Sequence, residues 1–284
     1  MKAIKVVGVP EHFNLPWHIA IENGIFASKD IEVQWGDEPS GTGAMGKALH
    51  EGVADMAILL TEGAITQISQ GGNFKILQWY VKSPLIWGIH TKHGANIELN
   101  TRIFDKNIAI SRKGSGSHLI PMVHAHRLGV EVDDSKFVVV NNLAAAVEFL
   151  QAGKADIFYW EKYTTHPWVQ NSTFDRIGEF PTPWPCFVIA VNVDYYTNNI
   201  LTVRKVQEAI NLTCSHMKQI QEIDDLIAHR YHMPLELVHE WLGVVQWAHD
   251  TDIAWNEVKK YAQILQNTGI ISHLPNDKNL LFHV

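Results

Sequence analysis

The chain has 284 residues, 46% hydrophobic and 19% charged, a balance that supports two lobes of ordinary domain size and excludes a disordered or low-complexity chain. Its 23 basic and 30 acidic residues give a net charge of −7 with no basic run, which excludes binding by phosphate neutralisation along a nucleic acid. No run of about 18 apolar residues occurs, so no membrane insertion is expected.

The segment Met1 to Trp17 lacks a charged start, a long apolar middle and a small-residue cleavage site. A cytoplasmic location is therefore expected for the chain as written, and a periplasmic one if a leader has been removed. Ile4 to Val9 reads as an apolar strand, followed by the polar loop Pro10 to Asn14 and a helix from Pro16 to Gly24. Ile31 to Trp35 alternates as a strand does, and after the loop Asp37 to Thr42 a short helix runs through Leu49. The apolar run Ala54 to Leu60 ends at Thr61, Glu62 and Gly63 and passes into a helix reaching Gly71. Phe74 to Val81 and Leu85 to Thr91 follow as strands.

The pattern then begins again. Ile108 to Ser111 is a short strand, Arg112 to His118 is a Gly/Ser loop, and a helix closes at Gly129. A strand that delivers such a loop onto a helix start gathers backbone N–H groups, hydroxyls and the positive end of a helix dipole, a setting for a small polar or anionic group. Phe137 to Val140 echoes Ile31 to Trp35. The sharpest echo is LHEGVAD (Leu49 to Asp55) against LQAGKAD (Leu150 to Asp156), with Leu, Gly, Ala and Asp in the same spacing 101 residues apart. Each is followed by a strand-like run that ends in an acid, Glu62 or Glu161. This predicts an α/β protein of two similar lobes with mostly parallel sheets covered by helices. Lobe 1 is expected to hold residues 1–90 and 187–284, and lobe 2 residues 91–186.

In such sheets ligands sit beyond the carboxyl ends of the strands, which predicts a ligand cleft between the lobes. From Pro181 the Pro/Trp-rich segment leads into a strand expected to cross back to the first lobe. Val203 to Gln221, Ile223 to Tyr231, Leu235 to Trp247 and Ile253 to Gly269 have helical period and form a tail completing that lobe.

Other motifs carry less. Gly41 to Gly46 fits G-x-G-x-x-G, but the preceding strand ends at about Trp35 and the following helix is too short for a dinucleotide crossover. In KGSGSH the lysine precedes the glycines, so it is no phosphate-binding P-loop, and Gly116 stands where a nucleophile elbow has serine. Ser115 and Ser117 read as hydrogen-bond donors to a ligand rather than as nucleophiles paired with His118. The 16 histidines show no ligand spacing with a third acid, and Cys186 and Cys214 lie in different segments, so neither a metal nor a cofactor is expected. Trp160, Glu161 and Trp184 offer stacking faces and a charged acceptor, or else core filling and a helix-terminal acid.

The Pro10 to Trp17 loop P-x-x-F-N-L-P-W, the paired L-x-x-G-x-A-D elements, the KGSGSH helix start and WEKYTTHPWV from Trp160 together resemble a type II periplasmic-binding-protein fold. Within it the chain is similar to the solute-binding proteins of ABC importers related to the thiamine-pyrimidine synthase family. That resemblance implies a non-catalytic binder of a small polar, ring-bearing or anionic solute, with an ABC permease or another protein as partner. It carries ligand contacts to Asn14, Trp17, Thr42, Thr61, Ser115, Gly116, Ser117, Trp160, Glu161 and Trp184. Two alternatives stand beside it. One is an enzyme of thiamine-precursor metabolism in which Glu62, Glu161 or His118 serves as acid or base, although the cysteine cluster of the synthases is absent here. The other is a sensor that signals through a protein partner.

Overall fold

The computed structural model describes residues 1–282. In chain order the elements are β1 (Lys2–Gly8), α1 (Leu15–Glu22), β2 (Ile31–Asp37), α2 (Thr42–His50), β3 (Met56–Leu60), α3 (Thr61–Ser69), β4 (Phe74–Val81) and β5 (Ile86–Lys92). Next come β6 (Ile108–Ile110), α4 (Gly116–Arg127), β7 (Phe137–Val139), α5 (Leu143–Gln151), β8 (Ile157–Glu161), α6 (His166–Gln170), β9 (Phe174–Pro181) and β10 (Phe187–Asn192). The tail is helical, with α7 (Val193–His216), α8 (Ile223–Tyr231), α9 (Leu235–Val244), α10 (Trp255–Asn267) and α11 (Asp277–Leu280). Among the described residues no helix is long and apolar enough to cross a membrane.

Two compact units result. Unit 1 comprises Met1–Ser83, Trp184–Lys260 and the segment from His273, and unit 2 comprises Pro84–Pro183 and Tyr261–Ser272. A boundary at 90/91, as read from the sequence, falls inside β5. That strand pairs with β9 from Ile86 to Lys92 and with β8 from Trp87 to His90, so it joins unit 2 whole. The tail also divides differently from the sequence reading, since Tyr261–Ser272 groups with unit 2.

The strand order is β2-β1-β3-β10-β4 in unit 1 and β7-β6-β8-β5-β9 in unit 2. β1 runs parallel to β2 and β3, while β10 runs antiparallel to β3 and β4. In unit 2, β6 runs parallel to β7 and β8, while β5 runs antiparallel to β8 and β9. Both sheets are therefore mixed on one plan, and the reversed strand is each time the one that follows a passage between units. No helix separates β4 from β5 or β9 from β10, so the chain enters each reversed strand from the other sheet and not through the strand–helix–strand crossover that makes successive strands of one sheet parallel. The central strands β3 and β10 are buried almost throughout, as a sheet covered on both faces requires. β9 had no clear sequence signal: its stretch DRIGE carries polar residues at an edge position, and only Phe174 and Phe180 anchor it. α7 starts ten residues before Val203 because Asn192 caps it, accepting from the Tyr195 amide at 2.8 Å.

The duplicated L-x-x-G-x-A-D element occupies matching surroundings in the two units. It ends α2 in one and α5 in the other, with Leu49 and Leu150 both fully buried. Gly52 and Gly153 take left-handed backbone, φ +68° and +67°. Their amides bond Leu49 O and Leu150 O at 3.2 and 3.1 Å, and the next amides bond Ala48 O and Phe149 O at 2.9 Å, the hydrogen-bond pair of a Schellman helix end. Asp55 then accepts from the Lys5 amide at 2.8 Å and Asp156 from the Asn107 amide at 3.0 Å, each tying the incoming strand to its parallel neighbour. A Cβ at either glycine has open space, so alanine meets backbone strain alone. Gly52→Ala and Gly153→Ala are each expected to lower stability by about 1 kcal/mol, read from urea unfolding midpoints.

Candidate functional site

In unit 1, β1 and β3 end at the same sheet edge, and the helices that follow them start there. The Thr42 hydroxyl, at the first residue of α2, accepts from the Leu60 amide at 3.0 Å. Thr61, first in α3, donates its hydroxyl to Pro185 O at 2.5 Å, and its amide bonds Cys186 O at 3.0 Å. These bonds pin the Pro/Trp segment before β10 against the start of α3. They bring the Trp184 indole N–H within 2.8 Å of Glu62 Oε2. A Cβ on Gly63 would meet Thr42 Cγ2 at 2.4 Å, so the two helix starts touch and only glycine fits between them. Asn14 lies at the end of β1, fully buried. Its amide donates to Val9 O at 2.7 Å, while its Oδ1 has no partner among the described residues.

Glu62 is the unusual group of this cluster. It is 0% exposed, and burial raises its carboxyl to about 7 against the opposing hydrogen bonds of Trp184 and its own backbone amide. Its Oε1 has no hydrogen-bond partner among the described residues, and no basic side chain contributes to its ionisation.

In unit 2 the loop after β6 closes on itself before α4. Ser115, the residue before the helix, donates to Arg112 O at 2.8 Å. Ser117 Oγ accepts from the Ser111 amide at 2.9 Å and lies 3.0 Å from Ser115 Oγ and 3.2 Å from Ser111 Oγ. Ser111, which the sequence did not single out, thus completes a triad of buried hydroxyls under the first turn of α4. The His118 amide already bonds Ser115 O at 2.9 Å, whereas the Gly116 and Ser117 amides, first in the helix, have no acceptor within it and lie at the positive end of the dipole. His118 holds the turn, its Nδ1 accepting from the Gly114 amide at 3.1 Å. Burial and the nearby Lys113 lower its pKa to about 4, partly offset by Asp134, so the ring is neutral near pH 7.

Glu161 ends β8 and is buried. Its Oε2 accepts from the Thr164 amide at 2.7 Å and the Thr164 hydroxyl at 2.8 Å, and burial raises its pKa. The two acids are not equivalent, because Glu62 stands seven residues after Asp55 and Glu161 five after Asp156. Trp160 and Glu161 also do not act together. Adjacent residues on a strand point to opposite faces, and Trp160 stacks on Phe158 at 5.2 Å over the apolar cluster of Leu150, Ala155 and Phe174. Trp17, expected at the ligand, lies in the core of unit 1, its ring 5.6 Å from Phe26, 5.8 Å from Trp35 and 6.4 Å from Tyr80. Thus Asn14, Thr42, Thr61 and Trp184 gather at the strand ends of unit 1 and Ser115, Gly116 and Ser117 at the start of α4. Trp17 and Trp160 belong to packing. No group of three or more His, Cys, Asp or Glu side chains among the described residues is arranged to hold a metal ion.

Comparison with known proteins bears on both clusters. A model of the Ca3427-like PBP family, where PBP denotes periplasmic binding protein, matches residues 87–180. The structure of the Candida albicans CA3427 gene product, described as exhibiting the generic periplasmic-binding-protein fold, superposes with a TM-score of 0.91 at 25% identity, covering 99% of this chain and 96% of that one. This chain has the type II periplasmic-binding-protein fold. The likeness to CA3427 spans both units and so takes in both loop clusters. More distant structures share the fold alone. The alkanesulfonate-binding protein SsuA from Xanthomonas axonopodis pv. citri, bound to MOPS, has a TM-score of 0.80 at 13% identity over 100% of this chain and 99% of its own. PhnD1 from Prochlorococcus marinus (MIT 9301), in complex with methylphosphonate, has a TM-score of 0.63 at 11% identity over 95% of this chain and 99% of its own. No curated protein sequence gives a significant match.

Proposed function

We propose that the chain is a non-catalytic binder of a small acid-bearing solute, of the kind that serves an ABC importer or a soluble relative of one. The observation that carries this reading is the start of α4, where the dipole of a 12-residue helix, the Gly116 and Ser117 amides and the Ser111–Ser115–Ser117 hydroxyls converge at the carboxyl end of a parallel strand. The fold shared with proteins solved around MOPS and methylphosphonate supports a sulfonate or phosphonate as the acid. Release to an importer permease or another protein partner is what this role entails.

Thermal unfolding against a panel of alkanesulfonates, alkylphosphonates and aminopyrimidines tests it. The aminopyrimidines represent the thiamine-precursor ligand implied by the sequence resemblance. A sulfonate or phosphonate is expected to raise the Tm with concentration, by the equivalent of about 2.7 kcal/mol at a hundredfold excess over Kd, without product formation. Ser115→Ala with Ser117→Ala is expected to reduce that rise at least tenfold in apparent Kd. A panel in which no acid stabilises the protein, or in which one is turned over, overturns the reading.

A further inference from the structure

We propose that unit 1 holds a second binding site, for the ammonium head of a small primary amine, in the cavity between the end of α2 and the start of α7. The site is separate from the loop cluster before α4 and uses none of its residues.

The cavity is open to solvent, has a volume of about 380 Å3 and is lined among others by His50, Glu51, Asp55, Asn192, Asp194 and Tyr195. It lies at the amino end of β3, which Asp55 precedes, whereas Thr61 and Glu62 follow the carboxyl end of that strand. Three of its side chains are acids, and among the described residues no lysine or arginine lines it. Of the lysines nearby, Lys47 lies 3.8 Å from Glu51 in an exposed pair, and the Lys2 ammonium bonds Asn199. The amide and charge of Lys5 offset only part of the burial that raises the Asp55 carboxyl. The Tyr195 hydroxyl oxygen is buried without a partner among the described residues and offers one more acceptor.

The duplicated element in unit 2 shows what such a place holds. The two helix ends match bond for bond: Leu49 O and Leu150 O take the glycine amides, and Ala48 O and Phe149 O the amides that follow. The side chains of His50 and Gln151 both bond the backbone just before the next strand, at Asn73 and Thr173. Asn73 O and Thr173 O in turn accept from the Val193 and His93 amides. Asn192 bonds the Asp55 carbonyl, and the register of β5 on β8, with His90 opposite Phe158, carries Lys92 to the matching place beside Asp156. In unit 2 the Lys92 ammonium donates to Gln151 O at 3.0 Å, at the negative end of the α5 dipole. In unit 1 the shorter Asn192 turns to Leu49 O and Asn73 O instead, and among the described residues no group donates to His50 O, the match of Gln151 O.

The charges are exchanged along with the reach. Where unit 2 has Lys92 and Lys154, unit 1 has Asn192 and Val53; where unit 2 has Gly94 and Ala152, unit 1 has Asp194 and Glu51. One unit thus supplies its own ammonium to this helix end, and the other presents carboxylates around the same carbonyl. A charged N–H donor from outside completes the second arrangement, by hydrogen bonds that charge strengthens. No group of three or more His, Cys, Asp or Glu among the described residues is arranged to hold a metal ion, so the guest is an organic cation rather than a bare metal. The volume leaves room for a carbon chain behind the ammonium, which makes an alkyl amine or short diamine the class.

Calorimetry at pH 7.5 and fixed ionic strength tests this with putrescine and with tetramethylammonium, a cation that has no N–H to donate. The wild type is expected to bind putrescine saturably and tetramethylammonium at least tenfold more weakly. Glu51 is exposed and its ion pair is with Lys47 alone, so it can be changed without disturbing the core. Glu51→Gln is expected to weaken putrescine binding by about threefold, the scale of one partly exposed charge pair. Glu51→Lys, which brings an ammonium to the cavity as Lys92 does in unit 2, is expected to weaken it tenfold or more. Absence of putrescine binding, equal binding of the two cations, or a Kd that neither variant shifts overturns the inference. None of these results depends on whether a sulfonate or phosphonate binds at α4.

Discussion

Replacing Glu62 by glutamine is expected to remove a loss of stability that the wild type suffers as the pH rises from about 4.5 to about 7. The folded-state pKa of this carboxyl is raised from 4.5 to about 7 by burial. Below the unfolded value both states hold the proton, and the group makes no demand. Between the two values the folded protein binds more protons than the unfolded chain, so stability falls with rising pH. Above the folded value the loss is complete, and a difference of this size corresponds to roughly 3 kcal/mol. Glutamine does not titrate. The difference in unfolding free energy between the two proteins is therefore expected to move in favour of the variant by up to that amount between pH 4.5 and pH 8, with most of the movement complete by pH 7.5. Urea unfolding at several pH values measures it. A difference that stays constant over the window would mean that Oε1 is served in solution and that the acid ionises normally.

Trp17→Ala is expected to give the largest loss among single substitutions in unit 1, about 3–5 kcal/mol, the usual range for removing a buried tryptophan. The ring is 0% exposed and packs with Phe26, Trp35 and Tyr80, which belong to an early loop and to the two edge strands β2 and β4 of the same sheet. Its removal leaves a cavity that three separately anchored rings do not close. Trp17→Phe keeps most of the apolar contact and forms no hydrogen-bond defect, because the indole N–H has no partner among the described residues. We expect it to lose less than half as much and to leave solute binding unchanged. Loss of binding in Trp17→Phe without loss of stability would return this residue to the ligand.

The contrast between Trp17 and Trp184 shows where reading a sequence stops. Both are tryptophans beside prolines, in loops that precede or open a regular element, and both read equally well as ligand faces. One fills a core and the other serves a buried acid. Side-chain direction depends on where the following element packs, and that is set by contacts far along the chain, such as Thr61 with Pro185 and Tyr80 with Phe13. The pairing of Trp160 with Glu161 fails for a simpler reason that strand alternation already contains.

What the sequence determined by itself is the local and repeated part. The L-x-x-G-x-A-D elements, 101 residues apart, specify a helix end, a left-handed glycine and a strand-tying aspartate through short-range hydrogen bonds, so their duplication made two similar α/β units legible. The Gly/Ser turn before α4 was legible for the same reason. Tertiary structure alone decided which strand of each sheet runs backwards and that Trp184 reaches Glu62 from 122 residues away. Those outcomes depend on burial and on partners distant in the chain, and a buried carboxyl acquires its raised pKa only when the rest of the fold has removed the water around it.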